Sequence, residues 1–147
     1  MGELLRLAFG TDDGFGGRAR IGLVVLEGDQ TVEAELVALW PEGVTAFVTR
    51  IQMEDQVTTE TLLAMEGRIP VAAGMLPTAF GFDVVGYGCT SASTLIGEDR
   101  VEAAIRVAHP GVPNTNPMTA AVAAFAALGA TRIGVVTPYS AEVTAGI

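Results

Sequence analysis

Six consecutive apolar residues, Ile21-Gly22-Leu23-Val24-Val25-Leu26, run without a polar interruption and stop at Glu27-Gly28-Asp29. A strand with one wet face alternates apolar and polar residues, whereas a strand buried on both faces reads as a continuous apolar run, the condition met in parallel sheets covered by helices. The pattern that follows agrees. Asp29 can cap a helix over 30–39, with Val32, Leu36 and Leu39 on one face and Glu33 and Glu35 away from it, and Pro41 marks its end. A second strand is expected over 44–49, then a polar turn through 52–55. Thr58 or Thr59 then caps a helix holding Leu62, Leu63 and Met65, closed by Gly67. A further helix over 69–80 has Pro70 in its first turn, with Pro77 favouring an early stop or a kink.

The chain's one cysteine follows the next apolar run. Residues 82–87 read as a buried strand, and Gly88-Cys89-Thr90-Ser91-Ala92-Ser93 opens a turn whose hydroxyl residues can start a helix. Cys89 therefore falls where the carboxyl end of a strand meets free helical amides. Open α/β sheets bind ligands at that end, and unpaired helical N–H groups favour an anion, either a thiolate or a substrate carboxylate. Cys89 is the candidate nucleophile or proton carrier.

An amphipathic helix is expected over 98–108, with Val101, Ala104, Ile105 and Ala108 on one side. His109-Pro110-Gly111 stops it, and His109 reads as a surface loop residue. Residues 112–116 read as a connection, and Asn116 with Pro117 starts an alanine-rich helix through 128 that Gly129 closes. A strand over 132–137 and a turn at Pro138-Tyr139-Ser140 lead into a last helix. Strands alternating with helices predict an α/β fold, a Rossmann-like parallel sheet with helices on both faces. Arg20-Ile21-Gly22 recurs as Arg132-Ile133-Gly134 at the opening of two such strands, which suggests a duplicated half. Glycine-rich residues 10–19 lack a periodic face and read as an arm.

Three groups of residues together resemble the aspartate/glutamate racemase superfamily: Gly88-Cys89-Thr90-Ser91-Ala92-Ser93, the Arg20-Ile21-Gly22 strand with Asp29-Gln30-Thr31 after it, and Thr137-Pro138-Tyr139. Within it they are most similar to the maleate cis–trans isomerase and arylmalonate decarboxylase branch, its ectoine-utilisation members in particular. The resemblance implies two Rossmann-like lobes related by a pseudo-twofold axis, with the active site between them and no cofactor. On that pattern 1–19 is a flexible arm, 20–116 the first lobe and 117–147 the beginning of a second, so that the chain looks like an N-terminal part. Cys89 matches the catalytic cysteine of the first lobe. Thr90, Ser91 and Tyr139 match residues that hold a substrate carboxylate or enolate, and Asp29 and Gln30 fall in the substrate-binding turn after the first strand. Isomerases of this branch usually have Asn where this chain has Asp29. A second catalytic cysteine has no counterpart here.

Bulk properties narrow the partners. With 147 residues, half of them hydrophobic, the chain can bury one core of ordinary size. The net charge of −9, from 17 acidic and 8 basic residues, repels polyphosphate and argues against nucleic acid and anionic membranes. Gly, Pro or charge interrupts every apolar segment before bilayer-spanning length. One cysteine and one histidine make neither an internal disulfide nor a structural zinc site, so no metal and a reducing, cytoplasmic setting are expected. The expected activity is that of a cofactor-independent isomerase or racemase acting on a small carboxylate. A non-catalytic carboxylate-binding or scaffold member of the fold is the alternative, with a decarboxylase of the same branch behind it. An unfinished sheet edge favours a homo-oligomer.

Overall fold

The structure, a computed structural model, describes residues 5–12 and 14–147. The part of the expected arm at 1–4 and 13 lies outside the described residues. In chain order the elements are β1 (Ala19–Leu26), α1 (Val32–Val37), β2 (Val44–Ile51), α2 (Thr59–Ala64), α3 (Ile69–Gly74), β3 (Val84–Tyr87), α4 (Thr90–Ile96), α5 (Glu98–Ala108), β4 (Asn114–Thr115), α6 (Pro117–Leu128) and α7 (Ala141–Thr144). Short 3-10 turns at Met65–Arg68 and Thr78–Phe80 flank α3. Among the described residues no helix is long and apolar enough to cross a membrane.

All four strands are parallel, in the order β2-β1-β3-β4, and the register places Val24 between Thr49 of β2 and Tyr87 of β3. Because side chains alternate along a strand, Val24, Ile51, Val85 and Tyr87 project to one face. There they form the main core with Ile69, Ala72, Ala73 and Leu76 and with Val101 and Ile105 of α5. Gly22 lies in the same row and leaves room for the side chains of Leu76, just past α3, and Val85 of β3: a Cβ there would sit 2.9 Å from Leu76 Cδ1 and 3.2 Å from Val85 Cγ2. The opposite face carries Leu23, Ala46 and Val48, which share a cleft of about 530 Å³ with Leu36, Val37 and Trp40 around α1. Helices therefore lie on both faces of the parallel sheet, as the unbroken apolar run of β1 requires.

Several expectations need correction. The helix over 30–39 contracts to α1, because Asp29 Oδ1 accepts from the amides of Thr31 and Val32 and holds the preceding residues in a turn. Leu39, expected on its buried face, is exposed. The helix over 69–80 stops at Gly74, ahead of Pro77. The connection at 112–116 contains the fourth strand, since Asn114 and Thr115 pair with Val85 and Gly86. The expected strand over 132–137 does not form: no strand edge among the described residues pairs with it, and Ile133, Val135 and Val136 are exposed. His109 is buried rather than on the surface. It caps the end of α5 where that helix packs on α3, with Nε2 2.9 Å from the Ala73 carbonyl oxygen and its ring edge-on to Phe82.

Candidate active site

Strand order decides where a ligand can sit. The chain leaves β1 toward one edge to form β2, then crosses back to place β3 on the other side of β1. The loops after β1 and β3 thus depart in opposite directions and open a crevice between adjacent strand ends, the usual ligand position in such sheets. Here the crevice is a pocket of about 270 Å³, lined by Leu26 and Asp29 after β1 and by Gly88, Cys89, Thr90 and Ser91 after β3. Residues of the 53–65 segment, among them Met53, Glu54, Thr61 and Met65, form a further wall, and Tyr139 closes another.

Backbone geometry holds the cysteine at this rim. The Gly88 amide donates to the Val24 carbonyl at 2.8 Å, tying the end of β3 to β1. Cys89 then takes an extended conformation as the N-cap of α4, and no side chain caps the amides of the first turn. Cys89 is 4 % exposed, its Sγ 3.8 Å from Ser91 Oγ. Directly before it in β3 and Gly88, Tyr87 is also buried, with its hydroxyl 3.7 Å from Met65 Sδ. The Tyr87 phenol is pushed far above its usual range, first by burial and then by the charge of Cys89 and a hydrogen bond to it. It stays protonated beside the thiol.

Tyr139 arrives from far along the sequence because α7 is pinned against α2. Thr59 Oγ1 donates to Glu142 Oε1 at 2.7 Å, Val143 is buried in the core, and the Thr137 and Thr144 hydroxyls meet at 2.6 Å. Of the residues singled out in the sequence, the pocket brings together Cys89, Thr90, Ser91, Tyr139 and Asp29. Gln30 is exposed and outside the lining. Sequence reasoning missed Tyr87 and the 53–65 wall. Period-two alternation places Tyr87 on the Val24 face, and the polar turn after β2 had to end near the same rim, so both signals were present but depended on strand order. Among the described residues no group of three or more His, Cys, Asp or Glu side chains is placed to hold a metal ion.

Solved structures share this arrangement of elements. The maleate isomerase Iso from Pseudomonas putida S16 superimposes with a TM-score of 0.73 at 30 % identity, over 87 % of this chain and 56 % of that one. A mutant of the Nocardia farcinica maleate cis-trans isomerase with a covalently bound succinylcysteine intermediate matches with the same values. The Nocardia enzyme bound to TRIS matches with a TM-score of 0.68 at 31 % identity. The chain shares the maleate isomerase fold. It spans little more than half the length of these structures. No protein-family model and no curated protein matches the chain.

Proposed function

We propose that this chain supplies a cysteine half-site of a cofactor-independent cis–trans isomerase of the aspartate/glutamate racemase superfamily, acting on a small unsaturated carboxylate. One observation carries the reading. In a chain 30 % identical to maleate isomerases, the only cysteine shares one small pocket with Thr90, Ser91 and Tyr139, at the crevice where this fold binds ligands. The Cys89 thiolate adds to the double bond, forming a C–S bond while the π pair moves onto the neighbouring carboxylate. The former double bond is then free to rotate, and return of the electron pair expels the thiolate and leaves the other geometric isomer. Hydroxyls of Thr90, Ser91 and Tyr139 are the donors that would stabilise the charge on the carboxylate, as in an oxyanion hole. In the same reading 20–116 is a first lobe and 117–147 opens a second, and ectoine utilisation rests on the sequence resemblance.

A second reading has its own support. Cys89 is nearly buried, as suits a carboxylate-binding module without turnover. The rate of Cys89 alkylation by iodoacetamide, followed by mass spectrometry from pH 5 to 9, separates the two. An activated thiolate reacts at neutral pH faster than a free cysteine, whose pKa is about 8.5, and Cys89→Ser abolishes both labelling and any isomerisation of maleate seen by proton NMR. Labelling no faster than free cysteine, with carboxylate binding lost on Ser91→Ala, would leave the binding module standing.

A further inference from the structure

The charge on the pocket walls bears on which carboxylate fits. Asp29 and Glu54 are lining residues, and among the described residues no Arg or His lines the pocket. Two guanidinium groups, of Arg50 and Arg68, bond to lining residues from behind and line a different cavity. Arg50 donates through Nη1 to the carbonyl oxygens of Leu26, Glu27 and Asp29 and pairs with Glu33. Arg68 donates to the Gln52 carbonyl at 3.1 Å and pairs with Glu54 at 2.5 Å, so Glu54 is already partly neutralised.

Asp29 is not neutralised in that way. Its Oδ1 accepts from the Thr31 amide at 2.8 Å and the Val32 amide at 2.9 Å, while Oδ2 accepts no hydrogen bond among the described residues. The same two amides hold the carboxyl below its ordinary pKa, with a smaller contribution from Arg50. Asp29 thus places an anion in the lining at the end of β1, and hydroxyl residues stand beside Cys89 at the end of β3. A dicarboxylate would set its second charge against a like charge that Arg50 offsets only in part. An N–H group in that place would donate to the unfilled oxygen instead.

We infer that the pocket selects a monocarboxylate whose other end carries an N–H donor, such as the monoamide of a short unsaturated diacid, with Asp29 as the residue that rejects the diacid. This rests on the Cys89 pocket being a carboxylate site, and the test keeps the two apart. Protection of Cys89 from iodoacetamide at pH 7.5 is measured against maleate and against its monoamide, in the wild-type chain and in Asp29→Asn. The Asn side chain keeps the Oδ1 acceptor for Thr31 and Val32, and circular dichroism checks that the variant is folded. In the wild type the monoamide should protect at a concentration lower by about threefold, the scale of one water-screened like-charge contact. In Asp29→Asn the two ligands should draw level or exchange order. Equal protection in the wild type, or a preference unchanged by Asp29→Asn, overturns the substrate assignment and leaves the carboxylate site intact. Protection by neither ligand overturns both.

Discussion

Asp29 shows how one residue can serve fold and site together. Its sequence position predicts a helix cap, and in the structure it does receive helical amides, although Thr31 rather than Asp29 is the N-cap residue. Hydrogen bonds from Val32 and Thr31 lower its pKa in the folded state, so the folded chain binds fewer protons at this group than the unfolded chain does. Stability from this source is present above the ordinary carboxylate pKa of about 3.9 and is lost as pH falls through the lower folded value. Urea unfolding between pH 2.5 and 7 should show a shallower acid limb for Asp29→Asn than for the wild type. Parallel limbs would mean that the ionisation of Asp29 adds nothing to stability. His109 teaches the opposite lesson about local reading. Its Pro-Gly neighbours marked a loop correctly, yet the side chain turns inward because α5 ends over α3, where the Ala73 carbonyl can accept a hydrogen bond from Nε2–H.

Elements defined by signals within a few residues were the most legible. The expected boundaries of α5 and α6 are those observed, because the Pro-Gly stop after α5, and Asn116, Pro117 and Gly129 around α6, act on backbone groups one turn away. Asn116 is buried, its Oδ1 accepting from the Met118 and Thr119 amides while Thr119 Oγ1 accepts from its own amide. Asn116→Ala should lower unfolding free energy by about 1 kcal/mol, read by chemical denaturation. It should leave Cys89 labelling unchanged, since α6 lines no part of the pocket. The short elements were less legible. A two-residue strand such as β4 has no periodicity to detect, and α1 starts late because the Asp29 turn holds the residues before it, while Leu39 beyond its end is exposed.

At the scale of the molecule, the described structure leaves several large apolar side chains of its last third exposed. Val122 and Leu128 on α6 and Ile133, Val135 and Val136 beyond it are more than half exposed. Large apolar side chains left exposed favour association. Sedimentation velocity should show concentration-dependent self-association of the chain, and the double variant Val122→Asp and Val136→Asp should remain monomeric with Cys89 labelling intact. A wild type that stays monomeric at high concentration would remove the expectation of a homo-oligomer. The sequence by itself determined the strands β1, β2 and β3, the long helices α5 and α6 and the placing of a cysteine at a strand end, because hydrophobic period and capping act over a few residues. Only the tertiary structure decided which distant segments became its neighbours. Folding β3 back beside β1 brought Asp29 to Cys89, set the 53–65 wall and Tyr139 around them, and left every guanidinium outside, and strand order is a property of the packed chain as a whole.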